Sequence, residues 1–261
     1  MPADNQTAPD GIQFNLATVD RGTVATVRRD GRSASYLTTT ALSKHPKFGP
    51  AINAFDGALA AALDRIATLN ADGYTGAALD REVESQLSRL RPVMLAAISE
   101  IRKIRGEHQA RKARTLEFPR EANAPLRSDL RNWWLSHEAP QRIGLALNGN
   151  WMLLSALIEA GQEFSDLSPE LWNQIEMRFM ALNHVKVAGL DASNVIPSTT
   201  EFLTGAGPDH AAAFALAMQA VKAWEAEIDL LNLAESYFQA ALQALMLVSG
   251  KSAIEITGLP V

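Results

Sequence analysis

A mainly α-helical bundle with an extended or hairpin-like N-terminal arm is the fold class that this sequence predicts, on three observations. Two long stretches keep apolar residues at heptad spacing. The β-prone runs are gathered in the first forty residues, and Pro, Gly and capping residues cut the middle of the chain into short helical lengths.

Thr23-Val24-Ala25-Thr26-Val27 and Ser33-Ala34-Ser35-Tyr36-Leu37-Thr38 flank Asp30-Gly31, a pair suited to a tight hairpin turn. A lone hairpin is marginal, so the arm, residues 1–47, must lie against the helical body or another molecule. A first helix is predicted from Pro50 to Leu69, with Ile52, Phe55, Leu59, Leu63 and Ile66 on one face and Asp72-Gly73 after it. A second starts at Thr75 as N-cap and carries Val83, Leu87, Leu90, Met94, Ala97, Ile101 and Ile104 in heptad alternation, with a kink expected at Pro92. Around and beyond Ile104 the stripe gives way to the cations Arg102, Lys103, Arg105, Arg111, Lys112 and Arg114. They suit a helix C-terminus, and they are also the candidates for contact with an acidic partner or nucleic acid.

The prolines between Phe118 and Pro125 mark a linker. The regions are then 48–118, with the long second helix, and 119–261, together one helical body. Short helices follow over 127–135, 139–147, 151–160 and 169–182, punctuated by Asn148-Gly149-Asn150 and by Ser168-Pro169-Glu170. Val187 to Pro208 lacks a sustained period and reads as a connection. The last helix repeats Phe214, Val221, Ile228, Glu235 and Leu242 beside Ala217, Trp224, Leu231, Phe238 and Leu245, a seam spanning ~60 Å. Glu235 interrupts it and needs a cationic partner or solvent. The alternating tail Ile254-Glu255-Ile256-Thr257 reads as a short strand.

Composition narrows the function classes. Cysteine is absent, which excludes disulfides, thiolate metal sites and thiol nucleophiles. The net charge of −5 is uneven: Met1 to Leu130 holds 18 Lys and Arg against 15 Asp and Glu, whereas Arg131 to Val261 holds 6 against 14. An acidic whole argues against a dedicated DNA binder, though its basic segment keeps a nucleic-acid-associated regulator as the alternative. Met1 to Gly11 has no signal-peptide pattern and no stretch reads as a membrane span, so a soluble protein in a reducing compartment is expected.

No standard catalytic constellation has the right spacing. Ser249-Gly250-Lys251-Ser252 lacks the upstream glycine of a phosphate loop, and Gly205-Ala206-Gly207 lacks the third glycine of a dinucleotide fingerprint. The histidines His45, His108, His137, His184 and His210 stand singly, and no G-x-S-x-G occurs. No cofactor and no metal are expected. Trp133 and Trp134 are adjacent and point about 100° apart on a helix, so one suits the core and the other a partner. Trp133, Trp134 and Tyr36 are the candidate protein-interface residues.

Over Leu126 to Phe179 the chain resembles small helical proteins encoded among the structural genes of tailed bacteriophages and prophages. The residues that carry the likeness are Asp129-Leu130-Arg131, Arg142, Gly149-Asn150, Ser155-Ala156-Leu157-Ile158-Glu159-Ala160 and Leu167-Ser168-Pro169-Glu170-Leu171. The resemblance implies a virion component or assembly factor, non-enzymatic, acting in a bacterial host cytoplasm or in the virion. The long seams and the arm agree with that expectation: they suit a protein that binds other virion proteins or itself.

Overall fold

The computed structural model describes residues 11–118, 123–197 and 205–258, which are mainly helical. In chain order these residues form β1 (Gln13–Val19), β2 (Gly22–Arg29), β3 (Arg32–Thr39), α1 (Thr40–Ser43), α2 (Gly49–Ala71) and α3 (Gly76–Leu116). There follow α4 (Ala124–Leu135), α5 (Ala139–Asn148), α6 (Trp151–Ala160), α7 (Gln162–Ser165), α8 (Pro169–Ala188) and α9 (Leu190–Ser193). The chain ends with β4 (Val195–Pro197), β5 (Gly205–Pro208), α10 (His210–Ser249) and α11 (Ala253–Thr257). Two compact units result, one of residues up to Gly106 and from Ile228 onward, the other Glu107–Glu227. The division falls inside α3 and α10, not at the prolines near residue 119.

In the first unit the expected hairpin is a three-stranded antiparallel sheet, order β1-β2-β3. Asp30 and Gly31 both have positive φ and close the β2–β3 turn, as their residue types require. β1 was absent from the sequence reading, although Phe14 and Leu16 alternate with polar residues. At Gly22 any side chain would collide with the Thr38 carbonyl oxygen, 2.0 Å from the position of a Cβ, so the strands meet here only over glycine.

One face of this sheet is core. Ala25, Val27 and Tyr36 are buried with Ile52, Phe55, Leu59 and Leu63 of α2, with the predicted heptad residues of α3, and with Leu231, Ala234, Tyr237, Ala241 and Leu245 of α10. The arm therefore belongs to the body, and Tyr36 is an interior residue, not an interface one. A polar knot fixes the stack: Asp56 of α2 accepts hydrogen bonds from Thr38 Oγ1 (2.6 Å) and Tyr237 Oη (3.0 Å). The Tyr36 ring meets that of Tyr237 edge-on at 5.9 Å. Burial, and then the Asp56 carboxylate, hold both phenols protonated well above the ordinary tyrosine range.

Other expectations need correction or refinement. α3 is one helix through Pro92 to Leu116, and α8 continues past residue 182 to Ala188. The tail is helical where a strand was expected, because Ser252 and Glu255 form a capping box that outweighs the two alternating isoleucines. Arg91 of α3 donates to the carbonyls of Glu255 and Ile256, and Ile256 is buried. Glu235 lies exposed beside α3, its carboxylate 2.8 Å from Arg105 Nε. The stripe that α10 buries in this unit is displaced toward Ala234, Tyr237 and Ala241, leaving Phe238 and Leu242 half-covered.

The sheet's place in the core has a measurable consequence. Val27 and Leu231 are both fully buried, so Val27→Asp and Leu231→Asp should each cost about 3–5 kcal/mol in urea unfolding. A sheet that formed a detachable arm would instead leave the Val27→Asp midpoint close to that of the unaltered protein.

Candidate functional site

The second unit contains the most distinctive surface, and it is built around a buried charge. α4 starts at Ala124 with Pro125 in its first turn, which places Arg127 one turn inside. The side chain of Arg127 is fully buried. Its Nε donates to Glu159 Oε2 of α6 at 2.9 Å, Arg131 Nη1 donates to the same oxygen at 2.6 Å, and the Arg127 guanidinium lies 5.2 Å from the Phe118 ring centre. Hydrogen bonding from Arg127, opposed by desolvation and aided by Arg131, holds the Glu159 carboxyl below the usual carboxylate range. These contacts pin α4 to α6.

α5 and α6 are apolar enough together to cross a bilayer, but the chain bends by 119° between them, and among the described residues no single helix is long and apolar enough to do so. The bend is sequence-encoded. A Cβ on Gly149 would sit 2.7 Å from Leu154 Cδ2, so a side chain there would displace the leucine, and the Asn150 side chain accepts from Leu153 N to cap α6. Arg178 of α8 donates to the Gly149 carbonyl and locks the corner.

With α4 pinned and α5 turned back, the three helices enclose an open groove of about 770 Å³. Leu126, Leu130 and Trp133 of α4 form one wall, and Leu145, Met152 and Leu153 are among the residues lining the remainder. None of the lining residues is charged; Asn148 and Asn150 are the polar side chains. Trp133 is 42% exposed, whereas Trp134 next to it is fully buried in the unit's core with Leu154, Leu157, Ile175 and Phe179. Of the paired tryptophans, then, Trp133 is available to a partner and Trp134 is not. The His137 ring packs edge-on to Trp133 at 4.4 Å, with Nδ1 2.8 Å from the Trp133 carbonyl. The surface can receive uncharged, apolar groups; it presents no nucleophile or acid–base pair.

Three of the six cations of the basic segment are paired with carboxylates. In the first unit Lys103 stands 3.8 Å from Glu100, and Arg105 reaches both Glu235 and the Asn232 side chain. In the second, Lys112 pairs with Glu176 at 2.5 Å. Among the described residues, Arg102, Arg111 and Arg114 have no ion-pair partner. Arg111 and Arg114 border a recess of about 220 Å³ with Asn183, His184 and Val187. Asn183 donates to the carbonyls of Thr115 and Glu117, satisfying the end of α3 in place of those arginines. Among the described residues no cluster of His, Asp and Glu has the makings of a metal site.

Sequence reading singled out Trp133 but not the groove, nor Arg127 and Glu159, which hold it open. Those two stand 32 positions apart with no pattern linking them. Comparisons of the chain with protein-family models, with curated proteins and with solved structures found no match.

Two variants test this architecture. Glu159→Gln removes the carboxylate that Arg127 and Arg131 share and should destabilise the second unit by about 1–3 kcal/mol. Because the folded carboxyl titrates below its ordinary value, its contribution is complete above the usual carboxylate range and is lost as pH falls through the lowered value. Urea melts at neutral and strongly acidic pH should therefore diverge less for Glu159→Gln than for the unaltered protein. Equal acid sensitivity in the two would show that Glu159 does not carry this linkage. In contrast, Arg111→Glu with Arg114→Glu should move stability by no more than ~0.5 kcal/mol, whereas Lys112→Glu places a second carboxylate against Glu176 and should unfold earlier.

Proposed function

We propose that this protein is a non-enzymatic assembly or structural protein whose partner-binding surface is the apolar groove of α4, α5 and α6, and that it serves as a component of a tailed-phage virion. The observation that carries the first part is the groove itself: open, wide enough for several aliphatic side chains, uncharged, and walled by a half-exposed tryptophan. Exposed apolar concavities of this kind mark protein-interaction surfaces, and tryptophan is the residue type most often found at their energetic centre. The virion setting comes from the sequence resemblance, among whose residues Leu130, Gly149 and Asn150 line the groove and Arg131 and Glu159 support it.

The heptad residues of α3 and the apolar residues of α2 and α10 cover one another within the first unit, whereas the second unit leaves the groove open. A partner held there makes apolar contacts, and its affinity depends weakly on salt, unlike a nucleic acid held by phosphate contacts.

Trp133→Glu places a charge in the groove at an already exposed position. It should leave the thermal midpoint nearly unchanged and abolish incorporation of the protein into its assembly. If a folded Trp133→Glu variant still assembles normally, the groove is not the binding surface.

A further inference from the structure

We propose that the recess between the end of α3 and the C-terminal turns of α8 binds a tetrahedral oxyanion, a phosphate or a phosphomonoester. Arg111 and Arg114 of α3 and His184 of α8 line it together with Thr115, Asn183 and Val187, and no carboxylate is among the lining residues. The unit around it is acidic: residues 107–227 hold 10 Lys and Arg against 15 Asp and Glu. Where acids are in excess, cations find partners, and the neighbouring ones have done so. Lys112 pairs with Glu176 at 2.5 Å, and the Lys186 ammonium lies 4.0 Å from the Trp151 ring centre. Arg111 and Arg114 have no ion-pair partner among the described residues.

Cations at a helix C-terminus ordinarily serve the last carbonyls. Here that role is filled by other groups. The buried Asn183 amide donates to the carbonyls of Thr115 (2.7 Å) and Glu117 (3.1 Å), and the Gly189 backbone N–H donates to the Val185 carbonyl at the end of α8. An anion in the recess therefore does not meet those carbonyls bare, and the two guanidiniums keep their donors for a ligand. Asn183 also fixes the walls: its Oδ1 accepts from Trp151 Nε1 at 3.3 Å, which ties α8 to α6 as well as to α3. Binding then needs little reordering of the backbone. Other recesses that hold arginines differ in carrying their own counter-charge. Arg102 shares one with Glu235, and Arg29 and Arg32 share another with Asp30, where Arg29 donates to the Val248 carbonyl.

The placement of the donors selects the class of anion. A carboxylate is satisfied by one arginine in a planar, two-point contact. Two arginines about a turn apart and an imidazole on a second helix approach from different directions, and an acceptor with oxygens in more than one plane answers all three. The recess, about 220 Å³, has room for a phosphate group and a few attached atoms. Val187 at its rim is 80% exposed and offers an apolar contact to the carbon side of an ester.

The test is a titration of the isotopically labelled full chain with inorganic phosphate at constant low ionic strength, followed by amide chemical shifts. Saturable shifts confined to the ends of α3 and α8 are expected below about 10 mM, with sulfate acting alike and acetate far more weakly. Arg111→Gln with Arg114→Gln should lower the affinity at least about ten-fold while leaving helix content and thermal midpoint unchanged. Arg102→Gln, an unpaired arginine outside the recess, should bind phosphate as the unaltered protein does. Phenyl phosphate distinguishes the sources: tighter binding than inorganic phosphate identifies an esterified group, equal or weaker binding a free one, and either supports the site. Absence of saturation, acetate binding as well as phosphate, or a folded double variant that binds undiminished overturns the proposal. So does a single-stranded oligonucleotide that binds through these arginines and is not displaced by phosphate, which would make the recess part of a nucleic-acid surface.

Discussion

The guanidinium of Arg127, fully buried yet charged, is the constraint on which the organisation of the second unit depends. A buried cation is tolerated only where a carboxylate and hydrogen bonds replace its water, and Glu159 supplies both from a different helix. Arg131 adds a second donor to the same carboxylate, so two positive charges on α4 converge on one negative charge on α6. The geometry leaves α4 little freedom to slide along α6. Leu126, Leu130 and Trp133 are thereby held on the side facing α5, and the apolar wall of the groove exists because the polar pair behind it is so demanding.

The first unit solves a related problem with neutral hydrogen bonds. Its sheet, α2 and α10 meet at Asp56, which accepts from Thr38 on the strand and Tyr237 on the helix. Around that knot the rings of Tyr36, Phe55, Tyr237 and Phe238 pack against one another at centroid separations of 5.0–6.0 Å. The Tyr36 hydroxyl is buried without a hydrogen-bond partner among the described residues, a cost accepted beside a dense aromatic cluster. C-terminal ends are secured in the same unit by side chains remote in sequence: Arg29 of β2 donates to the Val248 carbonyl at the end of α10, and Lys251 pairs with Glu84 of α3. The N-terminal strands are in this way tied to the last helix as well as to the core.

Much of the local structure was legible in the sequence. The type of nearly every long helix follows from periodicity, and Ser168-Pro169 and Asp30-Gly31 act as their residue types dictate. Errors arose where two local signals competed. In the tail, isoleucines two apart suggested a strand, yet the Ser252–Glu255 capping box satisfies backbone donors that a strand would have needed a neighbour to satisfy. β1 escaped notice because an edge strand half in water carries a weak alternation. Of the candidate site residues, Trp133 lines the groove, Trp134 and Tyr36 are interior, and three of the six cations of the basic segment, Lys103, Arg105 and Lys112, stand in separate ion pairs.

What the sequence determined by itself was the set of elements: where helices begin, which caps start them, which residues form an apolar stripe, and where only glycine can turn the chain. Those properties are local, fixed by backbone sterics and by spacing along one element. What only the tertiary structure decided was which neighbour each stripe meets. Trp133 and Trp134 have the same composition and adjacent positions, yet one faces open space and the other a packed core. Arg127 and Arg131 read as two more cations until Glu159, far along the chain, arrives beside them. Burial and charge pairing depend on atoms brought together through space, and periodicity along a single helix records the existence of an apolar face but not what covers it.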